Sequence, residues 1–197
     1  MNPLRVVIAD DDGVTLMVLR KTLTEMGHQV VGEGGDGHQA VALVKELNPD
    51  LVVLDIRMPN MDGIAASQAI QEISAAAVVV VSAHTEVGLG SEAANAGADA
   101  YLVKPFTAKQ LGPAIELALA NKKKFCHINE QLETRKVVER AKGILMRETG
   151  MNEESAYLAL QKAARNENKK MGEVARALIL ADQLRHAARP TPERSRA

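Results

Sequence analysis

Three acidic residues follow or end short apolar runs that have the composition of buried strands. Asp10 and Asp11 follow the first run, and Asp55 ends the third. Because the carboxyl ends of parallel strands meet at one edge of a sheet, we expect the three carboxylates to converge. Like charges that close repel unless a cation neutralises them, and an all-oxygen site with room for water favours Mg²⁺. Asp55 is then placed to act as the nucleophile of a phosphoryl transfer.

Two further polar residues, Ser82 and Lys104, end the fourth and fifth apolar runs. A hydroxyl and an ammonium at the same edge predict hydrogen bonds to phosphoryl oxygens. Lys104-Pro105 is a candidate cis peptide bond that would direct the lysine inward. A single aspartate at a strand end is usually a turn residue or a helix cap. The five residues together favour a phosphoryl-transfer site instead.

The elements that must position these residues alternate along the first 106 residues. Short runs rich in Val, Ile and Leu predict strands buried on both faces of a parallel sheet, at 4–9, 29–31, 51–54, 78–81 and 100–103. The segments between them predict helices at 13–26, 37–47, 63–73 and 85–96. Gly27 predicts a helix C-terminus, and Asp36 predicts an N-cap. Five such units indicate a doubly wound α/β domain, whose site lies beyond the carboxyl ends of the strands.

Four segments resemble the signatures of response-regulator receiver domains: IADDD, DLVVLDIRMPNMDG, VVVVSAH and DAYLVKPF. The resemblance covers about residues 3–120 and implies a flavodoxin-like, five-stranded receiver domain at 1–120. It implies that a sensor histidine kinase phosphorylates Asp55, with no enzymatic activity beyond phosphoryl chemistry at that residue. The implied Mg²⁺ ligands and the residues that sense phosphorylation are Asp10, Asp11, Asp55 and the Arg57 backbone carbonyl, then Ser82, Lys104 and Tyr101.

Phosphorylation would reshape the surface formed by the helix at 85–96, the strand at 100–103 and the helix that follows. Gly88 and Gly90 weaken the first of these helices, which is less typical of receivers.

From Thr107 onward the periodicity is helical. Thr107 and Gln110 predict a capping box at the start of a long helix that ends near Gly150. Pro113 removes one backbone donor early in it. An apolar stripe predicts a coiled-coil seam that includes a helical linker at 121–134; its members are Leu111, Ala114, Ala118, Phe125, Ile128 and Leu132. Asn121 interrupts the stripe, either as a register-fixing polar residue or as a sign of weak pairing. Two shorter helices at 153–166 and 172–187 and a disordered tail at 188–197 complete the chain.

The net charge of −1 conceals an asymmetry between the two halves. Residues 1–120 carry 7 basic and 15 acidic side chains, whereas residues 121–197 carry 17 and 10. Cations flank the apolar seam of the long helix, which suits either a solvated face or nucleic-acid binding. No apolar run is long enough to span a membrane, no signal peptide precedes the first strand, and Cys126 is the single cysteine, so we expect a cytoplasmic protein.

Residues 132–180 resemble the ANTAR domain, a three-helix RNA-binding module of transcription antitermination regulators. The resemblance depends on Arg135, the Ala141-Lys142-Gly143 triplet, Ala156-Tyr157, Leu160 and Ala175. It implies a domain at 135–187 that binds hairpin loops in nascent transcripts, typically as a dimer. Unpaired loop bases suit stacking on an aromatic ring and bonding to Arg or Lys. The residues we expect near RNA are Arg135, Arg140, Lys142, Gly143, Tyr157 and Arg165; Ala141 and Ala156 are expected to pack helices.

Two other functions are compatible with this sequence, a DNA-binding transcription factor and a protein-binding signalling adaptor. A DNA-reading helix needs exposed polar residues, whereas 172–187 is mostly apolar. The sequence leaves open whether phosphorylation creates the dimer or exposes the RNA surface.

Overall fold

A computed structural model of the chain describes residues 2–83 and 95–187. Its five parallel strands form one sheet in the order β2-β1-β3-β4-β5. The strands are β1 (Arg5–Ala9), β2 (Gln29–Gly34), β3 (Leu51–Asp55), β4 (Ala77–Ser82) and β5 (Ala100–Val103). The doubly wound order expected from the sequence is confirmed, and it places the ends of β1 and β3 side by side.

Six helices lie within the described residues. They are α1 (Gly13–Glu25), α2 (Gly37–Leu47), α3 (Gly63–Ile73), α4 (Ala108–Thr149), α5 (Glu153–Asn166) and α6 (Met171–Ala187). Asp36 caps α2 as predicted, because its carboxylate accepts from the Gln39 N–H. The predicted helix at 85–96, with Gly88 and Gly90, lies mostly outside the described residues, and so does the predicted tail at 188–197.

The first compact unit, residues 1–126, has a core on each face of the sheet. Alternate strand residues point to opposite faces, so Val7 and Leu54 pack with α2 and α3, whereas Ile8 and Val53 pack with α1 and the first part of α4. Every residue of β3 and β4 is buried. This explains why these strands have continuous apolar sequences rather than alternating ones.

The start of α4 belongs to the core of the first unit, which corrects the predicted seam. Leu111 and Ala118 are fully buried against the sheet and are therefore unavailable to a second helix. Asn121 does not fix a coiled-coil register either, because its side chain donates to the Asp99 carbonyl within the same unit. Phe125 is half-exposed. The helix continues into a second compact unit that begins at His127, so residues 121–126 of the expected linker pack in the first unit.

A buried polar cluster fixes α4 where it leaves the core of the first unit. Lys122 is only 5% exposed, and its ammonium donates to Gln71 Oε1 at 2.6 Å and to the Ser74 carbonyl at 3.4 Å. The Asp99 carboxylate accepts from the Val78 N–H at 2.9 Å. Burial raises the pKa of Asp99, although this bond and the charge of Lys122 favour the ionised form. The cluster was not predicted, because the side chain of a lysine on an amphipathic helix normally faces solvent.

The second compact unit begins at His127 and contains the rest of α4 with α5 and α6. Its core residues are Val138, Ala141, Ile144, Leu160, Ala175 and Ile179. Asn152 caps α5 by accepting from the Ser155 N–H. Gly150 adopts a φ of +70° after α4, as its predicted role as a C-cap requires. The predicted three-helix architecture of this part of the chain is confirmed.

Candidate phosphoryl-acceptor site and candidate nucleic-acid interface

The ends of β1 and β3 bring three carboxylates together. Ala9 pairs in register with Leu54, so the next residues, Asp10 and Asp55, lie opposite each other. One oxygen from each of Asp10, Asp11 and Asp55 lies within 4.8 Å of the others. Asp10 and Asp55 are buried, whereas Asp11 is exposed. The Arg57 N–H donates to Asp55 Oδ2 at 2.7 Å and orients the carboxylate.

Lys104 binds two of these carboxylates with one ammonium. Its Nζ lies 2.6 Å from Asp10 Oδ2 and 2.6 Å from Asp55 Oδ1. The predicted cis bond between Lys104 and Pro105 is present. Burial raises the pKa of Asp10, and the hydrogen bond from Lys104 only partly offsets this effect. Burial alone would lower the pKa of Lys104, but the hydrogen bonds to Asp10 and Asp55 outweigh it, so the pKa is raised and the lysine remains a cation.

The other two predicted residues lie on the adjoining strands. Ser82 ends β4 and is buried, and its backbone carbonyl accepts from the Lys104 N–H at 2.7 Å. This bond fixes the end of β4 beside the lysine. Tyr101 pairs with Val80 in the sheet and packs, partly buried, against the core on the α2 and α3 face. The structure thus brings Asp10, Asp11, Asp55, Ser82 and Lys104 to one edge, with Tyr101 three residues before the lysine.

Gly63 permits the close approach of α3 to the acceptor strand, a role that was not predicted. Its N–H donates to the Ile56 carbonyl at 2.9 Å. A Cβ at this position would lie 2.0 Å from the backbone oxygen of Asp55, so another residue would displace either the helix or the strand. The sequence signal was the Asp62-Gly63 pair, in which Asp62 is the N-cap of α3.

The donor set fits a small divalent cation. All three side chains offer carboxylate oxygens, and the exposure of Asp11 leaves one side open to water, which Mg²⁺ retains in protein sites. The local charge supports the fit, since three carboxylates meet where the ammonium of Lys104 pairs with only two of them, Asp10 and Asp55. A cation would relieve the remaining repulsion.

The residues expected near RNA do not all lie on one face of the second unit. Arg135 and Tyr157 line the same groove, between α4 and α5. Arg140 lines another groove, with Arg176 of α6. Arg165 is exposed in the last turn of α5. Helical spacing along α4 does not separate these groups, because their surroundings depend on the positions of the two neighbouring helices.

Lys142 and Gly143 differ in their environment although they are adjacent. Lys142 is 7% exposed, and its ammonium donates to Glu139 at 2.9 Å and to Glu153 at 2.7 Å. These bonds raise the pKa of Lys142. In this structure the lysine therefore holds α5 against α4 rather than lying on the surface. Gly143 is exposed, and a Cβ there would meet no atom within 4 Å, so packing inside the chain does not require a glycine.

Several exposed cations of the second unit are not engaged by carboxylates. Within residues 127–187, ion pairs occupy Lys136, Lys142, Arg147, Lys169, Lys170, Arg185 and His186. No ion pair within that range engages Arg135, Arg140, Lys162, Arg165 or Arg176. These five side chains can meet an anionic partner without first losing a protein carboxylate.

Comparison with known families matches both compact units. Residues 6–116 match the response regulator receiver domain, and residues 127–179 match the ANTAR domain. The chain is 42% identical over 184 residues to the transcriptional regulatory protein PdtaR of Mycobacterium tuberculosis, and the match covers 90% of each chain. It is 40% identical over 116 residues to the chemotaxis protein CheY of Bacillus subtilis, which is 58% of this chain and 97% of CheY.

Solved structures resemble the first unit. The receiver domain of the response regulator NarL from Mycobacterium tuberculosis has a TM-score of 0.55 and 34% identity, covering 58% of this chain and 94% of that domain. The CheX–CheY–BeF₃–Mg²⁺ complex from Borrelia burgdorferi gives a TM-score of 0.55 and 33% identity, covering 57% and 87%. In the ranges 2–83 and 95–187, no helix has the length and apolar character needed to cross a membrane.

The five-stranded fold, the acidic edge and the two family matches lead to one assignment. The chain belongs to the response regulators and joins an N-terminal receiver domain to a C-terminal ANTAR domain, the arrangement of a regulator that acts in antitermination.

Proposed function

We propose that Asp55 accepts a phosphoryl group from a sensor histidine kinase and that this modification controls the binding of RNA hairpins by the second unit. The observation that carries the proposal is the pairing of Lys104 with both Asp10 and Asp55 at an edge where three carboxylates meet. The proposed Mg²⁺ ligands are Asp10, Asp11, Asp55 and the backbone carbonyl of Arg57. Bound there, Mg²⁺ would supply positive charge to the phosphoryl oxygens.

The chemistry expected of Asp55 is nucleophilic substitution at phosphorus. A carboxylate oxygen forms a bond to phosphorus as the phosphorus–nitrogen bond of a phosphohistidine breaks, and the imidazole leaves with the electron pair. Lys104 is already 2.6 Å from Asp55 Oδ1 and stays protonated, so its ammonium is within reach of the transferred group. The Ser82 hydroxyl is proposed to donate to a phosphoryl oxygen, and Tyr101 to reorient with it. The similar CheY of Borrelia burgdorferi was solved in a complex with BeF₃ and Mg²⁺, which supports the proposal of a phosphoryl group and Mg²⁺ at this site.

Substitution of the acceptor tests this part of the proposal. Asp55→Asn retains the size of the side chain but removes the nucleophile, so labelling by acetyl phosphate with Mg²⁺ should fall to background. Asp62→Asn is the matched control, because asparagine also caps a helix and Asp62 is not part of the acidic cluster. Full labelling of Asp55→Asn at another residue would contradict the assignment.

The output proposed for the second unit is binding of hairpin loops in nascent transcripts. Arg135, Arg140 and Arg165 are exposed cations that no ion pair in residues 127–187 engages, and Tyr157 is a partly exposed aromatic. The exposed Gly143 would allow close approach of a partner to α4. Lys142 contributes by holding α5 in place.

Salt dependence distinguishes RNA binding from the alternative of duplex DNA binding. A hairpin with an unpaired, purine-containing loop should bind the full chain more tightly than duplex DNA of matched length. The logarithm of the affinity should fall linearly with the logarithm of salt, by about 0.7 for each neutralised phosphate of a single strand. Preference for duplex DNA would favour a DNA-binding regulator, and no binding of either would favour a protein-binding adaptor.

A homodimer is the proposed active form. Phe125, Ile128 and Leu132 are each about half-exposed along one side of α4, at a spacing that suits pairing with a second helix. All three belong to the part of the apolar stripe of α4 that is not buried in the receiver core. The kinase supplies the phosphoryl group, and dimer formation and RNA binding are the proposed consequences of phosphorylation.

A further inference from the structure

The groove that contains Arg135 and Tyr157 has the size and lining of a nucleotide site. Its volume is about 560 Å³. Its walls come from the first part of α4 in the second unit, from Tyr157 of α5 and from the corner before α6. The lining residues are His127, Glu130, Gln131, Thr134, Arg135, Val138, Glu139, Tyr157, Lys170 and Met171. All of them belong to the second unit.

Tyr157 is an aromatic residue that lies outside the core of its unit. Residues 127–197 contain no other Phe, Tyr or Trp, yet the core of the unit is built without it. The ring is 40% exposed and forms part of the groove wall, whereas its neighbour Ala156 is fully buried. An exposed ring of this kind offers a flat surface on which an unpaired base can stack.

The charges around the groove favour an anionic ligand. Glu139 is engaged by Lys142, and Glu130 is paired with Lys170 at 3.5 Å. Lys142 also pairs with Glu153, whereas within residues 127–187 no carboxylate pairs with Arg135. Arg135 is therefore a cation of this lining that a phosphate can reach without displacing a carboxylate. The Glu130–Lys170 pair is highly exposed on both sides, and such surface pairs contribute little stability. Lys170 can therefore exchange its carboxylate for a phosphate at low cost.

We propose that this groove binds one unpaired nucleotide of an RNA loop, with its base stacked on Tyr157 and its phosphate on Arg135. Gln131 and Thr134 supply amide and hydroxyl groups that can bond the edge of the base. The inference rests on the proposed RNA-binding function and adds the location and the kind of ligand. The second groove, with Arg140 and Arg176, then contacts backbone only, since no aromatic side chain lines it.

The experiment combines protein variants with single abasic sites in the loop of a hairpin RNA. The protein is the full chain activated by BeF₃ and Mg²⁺. Tyr157→Leu should weaken binding by roughly 5- to 150-fold, the usual effect of losing one stacked base. Tyr157→Phe should bind nearly as well as the original protein, because it retains the ring. Leu158→Ala is the control, since Leu158 is the exposed neighbour of Tyr157 on α5 and does not line the groove.

One loop position should show the same loss when its base is removed, and combining that abasic site with Tyr157→Leu should cause little further loss. Equal binding by Tyr157→Leu and the original protein, or independent losses at every loop position, would overturn the inference. Failure of the original protein to prefer hairpins over duplex DNA would instead defeat the proposed function.

Thermal melting separates loss of the ring from loss of the fold. Leucine at position 157 leaves the core residues unchanged, so the melting temperature should be retained. If the melting temperature falls, a second experiment tests the stacked base with the original protein. The fluorescent base 2-aminopurine is placed at each loop position in turn, and its fluorescence is measured with and without protein. One position should change its fluorescence on binding, and Tyr157→Phe should preserve the change. No responsive position would contradict the proposed site.

Discussion

Lys104 supplies one positive charge to two buried carboxylates, so the charge balance of the receiver site depends strongly on one side chain. Its ammonium contacts Asp10 and Asp55, both of which are almost fully buried. Removing one partner from a buried charge group leaves the others uncompensated, which is strongly destabilising. A cation at the same edge can take over this role.

Lys104→Met should therefore lower the free energy of unfolding by about 3 kcal/mol in the absence of divalent cations. Addition of Mg²⁺ should recover part of the loss, because a cation that binds the three carboxylates only in the folded state stabilises that state, and the effect grows with the logarithm of the Mg²⁺ concentration above Kd. Urea denaturation with and without Mg²⁺ measures both effects. Stability that is unchanged by the substitution, or unaffected by Mg²⁺, would contradict this description of the site.

For individual residues, the sequence predicted the convergence of the acidic side chains better than the environment of the cations expected near RNA. Asp10, Asp55, Ser82 and Lys104 were predictable because each ends an apolar run and a parallel sheet aligns such ends. The burial of Lys142 was not predictable. Helical spacing alone places this lysine beside other cations and does not show that its ammonium binds Glu139 and Glu153. The position of a charged side chain between two helices depends on their packing.

At the scale of the elements, the pair Lys142–Glu153 joins α4 to the first turn of α5. The hydrogen bond from Lys142 lowers the pKa of Glu153 below its usual range. A carboxyl with a lowered pKa in the folded state adds stability above its unfolded pKa, and this stability disappears as the pH falls through the folded value.

Glu153→Gln should thus destabilise the second unit at pH 7 and have little effect at a pH below the lowered pKa of Glu153. Urea denaturation at a series of pH values measures the difference between the two proteins. Glu154→Gln is the matched control, since Glu154 is also in the first turn of α5 and Lys142 does not contact it. An equal difference between Glu153→Gln and the original protein at every pH would exclude the pair as the cause.

The cluster around Lys122 fixes α4 on the receiver at the point where the helix leaves the core. Lys122→Met should cost about 1–3 kcal/mol, because Gln71 loses a buried partner. Lys123→Met is a close control, since Lys123 is the exposed neighbour. Denaturant midpoints of the two variants should differ clearly. Equal midpoints would show that the cluster contributes no net stability.

The helices and strands were largely predictable from the sequence, but the packing partners of α4 were not. Helix bounds at 37–47 and 63–73 agree with α2 and α3, and Asp36 marks the start of α2 as predicted. The stripe that begins at Leu111 looked like one continuous seam. Its first half meets a sheet and its second half is exposed, a distinction that periodicity along one helix cannot make.

At the scale of the whole molecule, the exposed side of α4 is the surface through which we propose that phosphorylation promotes dimerisation. Phe125→Glu places an unpaired charge where a second helix is proposed to pack, which costs several kcal/mol if the site is buried in a dimer. Light scattering should show that BeF₃ and Mg²⁺ shift the original protein towards dimers and leave Phe125→Glu monomeric. A monomer in every state, or a dimer unaffected by the substitution, would remove this surface from the proposal.

We propose that the state of Asp55 controls the affinity of the chain for RNA hairpins. The most direct measurement compares hairpin affinity with and without BeF₃ and Mg²⁺, for the original protein and for Asp55→Asn, at fixed salt. Coupling between two sites commonly amounts to about 1–3 kcal/mol, so activation should raise the affinity of the original protein by roughly 5- to 150-fold. Asp55→Asn should show no increase. Equal affinity in both states of the original protein, or an increase that persists in Asp55→Asn, would contradict the account.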